Sequence, residues 1–241
     1  MENKKRILIV TGGDSNIHEV LDFTTPSKIR YAKKHGYDFM SLRSFKKIPE
    51  YNIDSGLISI GFARSIPLFQ MMELYDAIVW FDADSIITND SYKIEDIIES
   101  NHTIYFSFDW PYESKNPHSS FSSGNFILQK TPSIDELFGV FLQYSQRFLN
   151  DVGSDQTCFN TIYKETDLRK DFKILDHKYL NSVPKFLENT KTWISDPNRT
   201  GPMAQNKIVS PWTEDSFIAH LTGVTNEERI EIINKHFIKY I

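Results

Sequence analysis

The sequence predicts an α/β fold, a mixed and mostly parallel central sheet flanked by helices. Two apolar runs, Ile7-Leu8-Ile9-Val10 and Ala77-Ile78-Val79-Trp80-Phe81, are continuous rather than alternating, as strands buried on both faces are. Segments of helical period alternate with the strands along the chain. Both runs stop abruptly, at Thr11-Gly12-Gly13 and at Asp82-Ala83-Asp84, and the crevice beyond the carboxyl ends of such strands is where α/β sheets bind ligands.

The elements follow in order. After the first strand, Thr25-Pro26-Ser27 has the form of an N-cap with proline at the first helical position, which predicts a helix from Lys28 to His35 stopped by Gly36. Tyr37 to Leu42 reads as a second strand. Leu57 to Tyr75 is helical in period, with Pro67 marking a kink or a new start. The strand ending in Phe81 comes next, then a short helix over Ile94–Glu99 and strands over Thr103–Phe108 and Phe121–Gln129. Ile134 to Phe148 is helical, capped by Thr131 or Ser133. Ser154-Asp155-Gln156 opens a helix over Thr157–Lys164. Beyond about residue 170 the pattern weakens, Ser195–Gly201 is turn-rich, and Glu227–Lys239 forms a last helix. With 241 residues and no linker, one domain is expected over residues 1–241.

Composition excludes several functions. A net charge of -5 argues against a nucleic-acid binder held by phosphates. The single cysteine, Cys158, excludes a disulfide framework and a cysteine-built zinc site. No apolar run is long enough for a transmembrane segment, and the residues before the first strand leave no room for a signal-peptide core. This predicts a soluble cytoplasmic protein, bacterial or viral, unless the chain is a trimmed lumenal fragment.

The chemistry concentrates at Asp82-Ala83-Asp84. Two carboxylates at the end of a buried strand repel each other unless a cation or donors compensate. Oxygen ligands suit Mn²⁺ or Mg²⁺, ions that commonly neutralise phosphates. His220 is a candidate third ligand, with a packed core histidine as the alternative. Thr222 and Gly223 beside it offer a hydroxyl and an open backbone N–H for a diphosphate.

The blocks HGYDF at 35–39, YDAIVWFDADSIITN at 75–89, SSGNFILQ at 122–129, Asp155-Gln156 and HLTG at 220–223 occur in that order. Together they resemble metal-dependent glycosyltransferases of the GT-A fold, above all the galactosyl/xylosyltransferase GMA12/MNN10 family (family 34), with glycogenin-like family 8 as a near relative. The resemblance spans residues 6–225. It implies a UDP-sugar donor and a hydroxyl acceptor on a glycan or other molecule, with a nucleotide-binding half at 1–110 and an acceptor-binding half at 111–241. Thr11 and Gly12 would hold the uracil end. Asp82 would contact the ribose or the metal; Asp84 and His220 would bind the metal, with Ala83 between. Ser123, Gly124 and Asn125 would line the sugar pocket, and Asp155 and Gln156 would meet sugar hydroxyls near the reacting carbon. Arg64 would be the basic residue of the preceding helix, although Ser65 stands where the family usually has lysine. Val224-Thr225-Asn226-Glu227 lacks the basic residue often found just past HLTG. The resemblance also implies retention of configuration. An inverting enzyme would need a base, for which Asp109 or Asp215 could be offered.

Other readings of the same residues stay open. Gly124 could permit a strand bulge, and Asp155 could simply cap its helix. Trp110, Tyr112, Trp193 and Trp212 lie in loop-like stretches and could stack on sugars or pack beneath loops. A haloacid-dehalogenase-type Mg²⁺-dependent phosphatase also puts D-x-D after an apolar strand, though on its first strand. A non-catalytic nucleotide-sugar-binding module is the second alternative.

Overall fold

The computed structural model describes residues 4–43, 60–108, 121–149, 151, 154–190 and 211–241. Six strands form the central sheet: β1 (Ile7–Gly12), β2 (Asp38–Leu42), β3 (Ala77–Asp82), β5 (Ile104–Phe108), β6 (Phe121–Gln129) and β7 (Phe172–Leu175). Their order is β2-β1-β3-β6-β5-β7. β1 pairs in parallel with β2 and β3, β7 pairs in parallel with β5, and β6 alone runs antiparallel to both its neighbours. A second sheet pairs β4 (Ser85–Ile87) with β8 (Ile218–His220), antiparallel.

The apolar runs of β1 and β3 feed two cores, as the two-residue period of a strand requires. Leu8, Val10, Ile78 and Trp80 point into a core shared with helices α2 (Ile60–Met71), α4 (Ile134–Ser145) and α5 (Ser154–Glu165). Ile7, Ile9, Val79 and Phe81 point the other way, against α1 (His18–His35), α3 (Ile94–Ile97) and α6 (His177–Leu180). A third cluster joins the β4–β8 pair to α7 (Asn226–Ile232) and the π turn Ile233–Phe237 that continues it. Much of the aromatic excess lies in the first core, where Phe69, Phe106, Phe121, Phe126, Phe141 and Phe159 pack on one another.

Several element boundaries differ from those the sequence suggests. α1 begins at His18, not Lys28, and carries Pro26 inside it. Proline removes one helical bond, but Pro26 and Asp22, whose carbonyl loses its donor, are both exposed to water. Burial of Val20, Leu21 and Thr24 holds the extra turns in place, and Thr25 donates to the Leu21 carbonyl at 2.6 Å instead of capping. Gly36 ends the helix at φ 69°, as expected of a left-handed C-cap. The helix over Leu57–Tyr75 is described from Ile60 to Met71, with Pro67 inside it. The helix over Ile134–Phe148 stops at Ser145, and the one placed at Thr157 opens at Ser154. The last helix breaks into α7, a π turn and a 3-10 turn. The short strands β4, β7 and β8 were not distinguished in the sequence.

Candidate active site

The carboxyl ends of β1 and β3 open into a cleft of about 650 Å³, within the range of small-ligand sites. Asp82, Ala83 and Asp84 form its floor, Ser123 and Gly124 of β6 one wall, and Asp155 and Gln156 at the start of α5 another. His220 and Thr222 approach from β8 and the turn after it. Residues distant in sequence meet here because β3 sits between β1 and β6, and β8 pairs with β4 so that Ser85 faces His220.

The D-A-D turn is held by its backbone. The Lys28 ammonium donates to the Asp82 carbonyl at 3.1 Å and to the Thr24 hydroxyl at 3.0 Å. The Thr24 hydroxyl donates to the Ala83 carbonyl at 2.5 Å, and the Leu221 N–H donates to the Asp84 carbonyl at 3.0 Å. All three carbonyls of the turn are thus fixed, and the side chains are free to face the cleft. Lys28 is wholly buried. Burial pushes its ammonium down to about 7, against the pull of Asp84 and Asp82.

Asp82, Asp84 and His220 each offer one ligand atom within 4.8 Å of the others. His220 Nε2 lies 3.3 Å from Asp84 Oδ1 and 4.0 Å from Asp82 Oδ2. Its Nδ1 lies 2.9 Å from Asn181 Oδ1, a pure acceptor. Nδ1 therefore carries a hydrogen, and in the neutral ring the lone pair belongs to Nε2, inside the cluster. Two carboxylates and an imidazole lone pair directed at one point fit a divalent cation such as Mn²⁺ or Mg²⁺. Without a metal the same groups pair with one another. Against burial, His220 and Arg229 hold the Asp84 carboxyl well below the usual carboxylate range, and Asp84 raises the His220 imidazole despite its burial.

Gly124 is where β6 passes closest to this cluster. A Cβ there would stand 2.7 Å from His220 Cε1 and 2.9 Å from Asp82 Oδ2, so the glycine makes room for the ligand side chains. Against β5 the register breaks between Tyr105↔Ile127 and Ser107↔Ser122, so Gly124 also lies in the bulged stretch of β6, as the sequence allowed.

Arg64 binds the far side. Its Nε and Nη2 donate to the two oxygens of Asp155 at 2.9 and 3.2 Å, Nη2 donates to the Ser123 hydroxyl at 2.9 Å, and Nη1 pairs with Asp82. The guanidinium lies over the Trp80 ring at 5.4 Å, and Trp80 Nε1 donates to Asp82 at 2.8 Å. Asp155 is only 2% exposed and also accepts from Ser65 at 2.9 Å and Ser123 at 3.0 Å. Its oxygens are spent on Arg64 and the serines, so it is a counter-ion rather than a helix cap. Gln156, half-buried beside it, accepts the Ser123 N–H at 3.1 Å.

Some candidate residues stand behind the cleft rather than in it. Thr11 is wholly buried, its hydroxyl without a partner among the described residues. Ser65 faces Asp155. Asn125 accepts the Asp82 N–H at 3.1 Å and the Ser85 hydroxyl at 2.8 Å, bracing the turn. Gly223 occupies the turn after β8 at φ 76° and does not line the cleft. Asp215 is exposed and outside it. Trp212 packs edge-on against Phe237 at 5.0 Å and donates to the Thr88 hydroxyl at 2.9 Å, a structural role that removes it from the acceptor candidates. Asp109, Trp110, Tyr112 and Trp193 lie outside the described residues.

Three participants escaped the sequence reading: Lys28, Asn181 and Arg229. Arg229 donates from Nη2 to Asp84 Oδ2 at 2.9 Å and lines the cleft, so a basic residue does follow HLTG, six positions past Gly223. The signal was present in Thr225-x-x-Glu228, a capping box that starts a helix and sets Arg229 in its first turns.

Residues 3–106 match the model of the galactosyl transferase GMA12/MNN10 family. No curated protein matches the sequence significantly. Among solved structures, a glycosyltransferase involved in glycosylating the major capsid of PBCV-1 is similar over 95% of this chain and 98% of its own, at 17% identity and a TM-score of 0.64. The galactosyltransferase LgtC, solved with donor and acceptor sugar analogues, is similar over 97% of this chain and 100% of its own, at 12% identity and 0.54. Mouse xyloside xylosyltransferase 1 is similar over 90% and 97%, at 13% identity and 0.52. The fold is GT-A, as expected, and fold and family pattern together support a glycosyltransferase. The phosphatase alternative is not favoured. No helix among the described residues is long and apolar enough to cross a membrane.

Proposed function

We propose that this chain, a GT-A fold whose first part carries the GMA12/MNN10 pattern, is a metal-dependent glycosyltransferase. It would move a sugar from a UDP-sugar to a hydroxyl of a glycan or other acceptor, with retention and an α linkage. The observation that carries the reading is the convergence of Asp82, Asp84 and His220 in a cleft that also holds Arg64 and Arg229.

Charge balance supports it. Asp82, Asp84 and Asp155 are offset by Arg64 and Arg229 and by whatever charge Lys28 retains. A divalent ion bound to Asp82, Asp84 and His220 would turn this nearly balanced site cationic, supplying the charge that neutralises a departing diphosphate. An acidic protein can thus accept an anionic donor without a basic surface.

The residues take roles by position. Gly12 and the loop behind it, with Thr11 beneath, would form the nucleotide end, and Thr222 would meet the diphosphate, with Gly223 shaping the turn behind it. Ser123, Gly124 and Gln156 would border the transferred sugar. Asp155 would act through Arg64, holding the guanidinium between itself and Asp82 so that its positive charge faces the reacting centre. The bond from the anomeric carbon to the diphosphate would break, one to the acceptor oxygen would form on the same face, and the acceptor's proton would pass to the departing phosphate oxygen. Residues 1–110 would serve mainly the nucleotide, and 111–241 would serve the acceptor while also bringing His220 and Thr222 to the metal and diphosphate.

A panel of UDP-sugars with Mn²⁺, scored for UDP release by the wild type and Asp84→Ala, tests the reading. Turnover with at least one donor, lost in Asp84→Ala, is expected. Unchanged metal-dependent turnover in that variant sinks the metal assignment, and UDP binding without any sugar release points to a binding module. A β-linked product by NMR would overturn retention.

A further inference from the structure

Arg229 is bound at once to the cleft wall and to a metal-ligand candidate. Its side chain is 15% exposed and makes three anchored contacts: Nε to the Leu221 carbonyl at 3.0 Å, Nη1 to Asn226 Oδ1 at 2.9 Å, and Nη2 to Asp84 Oδ2 at 2.9 Å. The first two acceptors belong to the scaffold. The third is a metal-ligand candidate whose other oxygen faces His220. One nitrogen of a rigid fork is therefore committed to a carboxylate that a metal would also claim.

We propose that Nη2 of Arg229 serves two acceptors in turn, Asp84 in the protein without ligands and a phosphate oxygen of a bound nucleoside diphosphate. The inference rests on the metal and nucleotide reading above and deepens it. When a divalent ion takes up the charge of Asp84, the carboxylate becomes a poorer acceptor for Nη2. The bonds to Leu221 and Asn226 keep the guanidinium in the cleft wall, with the planar fork that suits a phosphate. Metal alone must compete with Arg229, whereas metal with nucleotide gives Arg229 a new partner. Each ligand thus favours the other, beyond what direct contact between them supplies.

Calorimetry with Mn²⁺ alone, UDP alone and the two together, on the wild type, Arg229→Gln and Arg229→Lys, separates the terms without measuring turnover. The wild type is expected to bind Mn²⁺ weakly alone and about tenfold or more tightly with UDP present. Arg229→Gln is expected to bind Mn²⁺ alone several-fold more tightly than the wild type, and to lose most of the gain from UDP, by about fivefold or more. Arg229→Lys, which keeps the charge but not the fork, is expected to fall between. Thermal melts confirm that each variant is folded. If Arg229→Gln binds Mn²⁺ no more tightly, or keeps the full gain from UDP, the inference is overturned while the metal site stands. If the wild type binds neither Mn²⁺ nor UDP, the functional reading fails and takes the inference with it.

Discussion

Asn181 Oδ1 accepts a hydrogen bond from His220 Nδ1 at 2.9 Å, and this contact decides which nitrogen of the imidazole faces the metal cluster. Asn181 is itself held, its amide donating to the Phe108 carbonyl at 2.9 Å, so its oxygen cannot readily turn away. Replacing Asn181 by leucine leaves Nδ1 without an acceptor and the ring free to rotate or change tautomer. Outer partners of metal-bound histidines are commonly worth about ten- to a hundredfold in affinity. Asn181→Leu is therefore expected to weaken Mn²⁺ binding by that order, with UDP binding in the absence of metal unchanged. Unaltered Mn²⁺ affinity in a folded variant would remove Asn181 from the site.

Gly124 has a narrower role. A methyl group there would meet His220 Cε1 and Asp82 Oδ2, both ligand side chains, rather than backbone. The side chains would have to move, and displacing reacting groups by about an ångström commonly costs on the order of a hundredfold in rate. Gly124→Ala is expected to lower metal-dependent turnover by about ten- to a hundredfold, while thermal stability changes little. A variant with wild-type turnover would show that the two ligands have room to spare.

The Arg64–Asp155 pair allows a stability test. Both groups are buried, and the guanidinium reaches both carboxylate oxygens. Removing one partner strands a buried charge, at a cost of about 3–5 kcal/mol, whereas removing both can be nearly neutral. Arg64→Met and Asp155→Asn are each expected to lower the urea midpoint sharply. The double variant should recover part of the Arg64→Met loss, because Asp155 then carries no unpaired charge, while Asp82 still lacks its Arg64 partner. Additive losses would mean that the two side chains do not act as one unit.

How much of this was legible in sequence depends on how local each signal is. β1 and β3 were plain because one strand feeding two cores must be apolar at every position. Asp82 and Asp84 were plain because they follow such a strand directly. His220 could be suspected but not aimed, since its direction depends on Asn181, thirty-nine residues away. Lys28 looked like an ordinary helix lysine, because the spacing along α1 does not reveal that it and Thr24 point at the carbonyls of another loop. β4, β7 and β8 have three or four residues each, too few for a period, and they exist through their partners. α1 was misplaced because Thr25-Pro26 has the form of a start, and only the packing of Val20 and Leu21 outweighs it.

Cys158 provides a probe of the helical layer behind the cleft. It is wholly buried in α5, its thiol donating toward the Phe141 carbonyl of α4 at 3.7 Å. Burial raises the pKa of its thiol well above the ordinary value, and the nearby charge of Asp155 adds to the effect. The thiolate is the reactive form, so the folded protein should not react with an exogenous disulfide at a pH where an exposed thiol does, about 8.5. The sign of the linkage follows. The folded chain holds this proton more tightly than the unfolded one, so its contribution to stability is complete below about pH 8.5 and declines as pH rises beyond it. Native protein is expected to stay unlabelled at that pH, and urea-unfolded protein to take up one label on its single cysteine. Labelling with ligand-dependent protection would place the thiol near the cleft. Labelling at the unfolded rate would mean that α4 and α5 do not pack together, and with them would go the wall that carries Asp155 and Gln156.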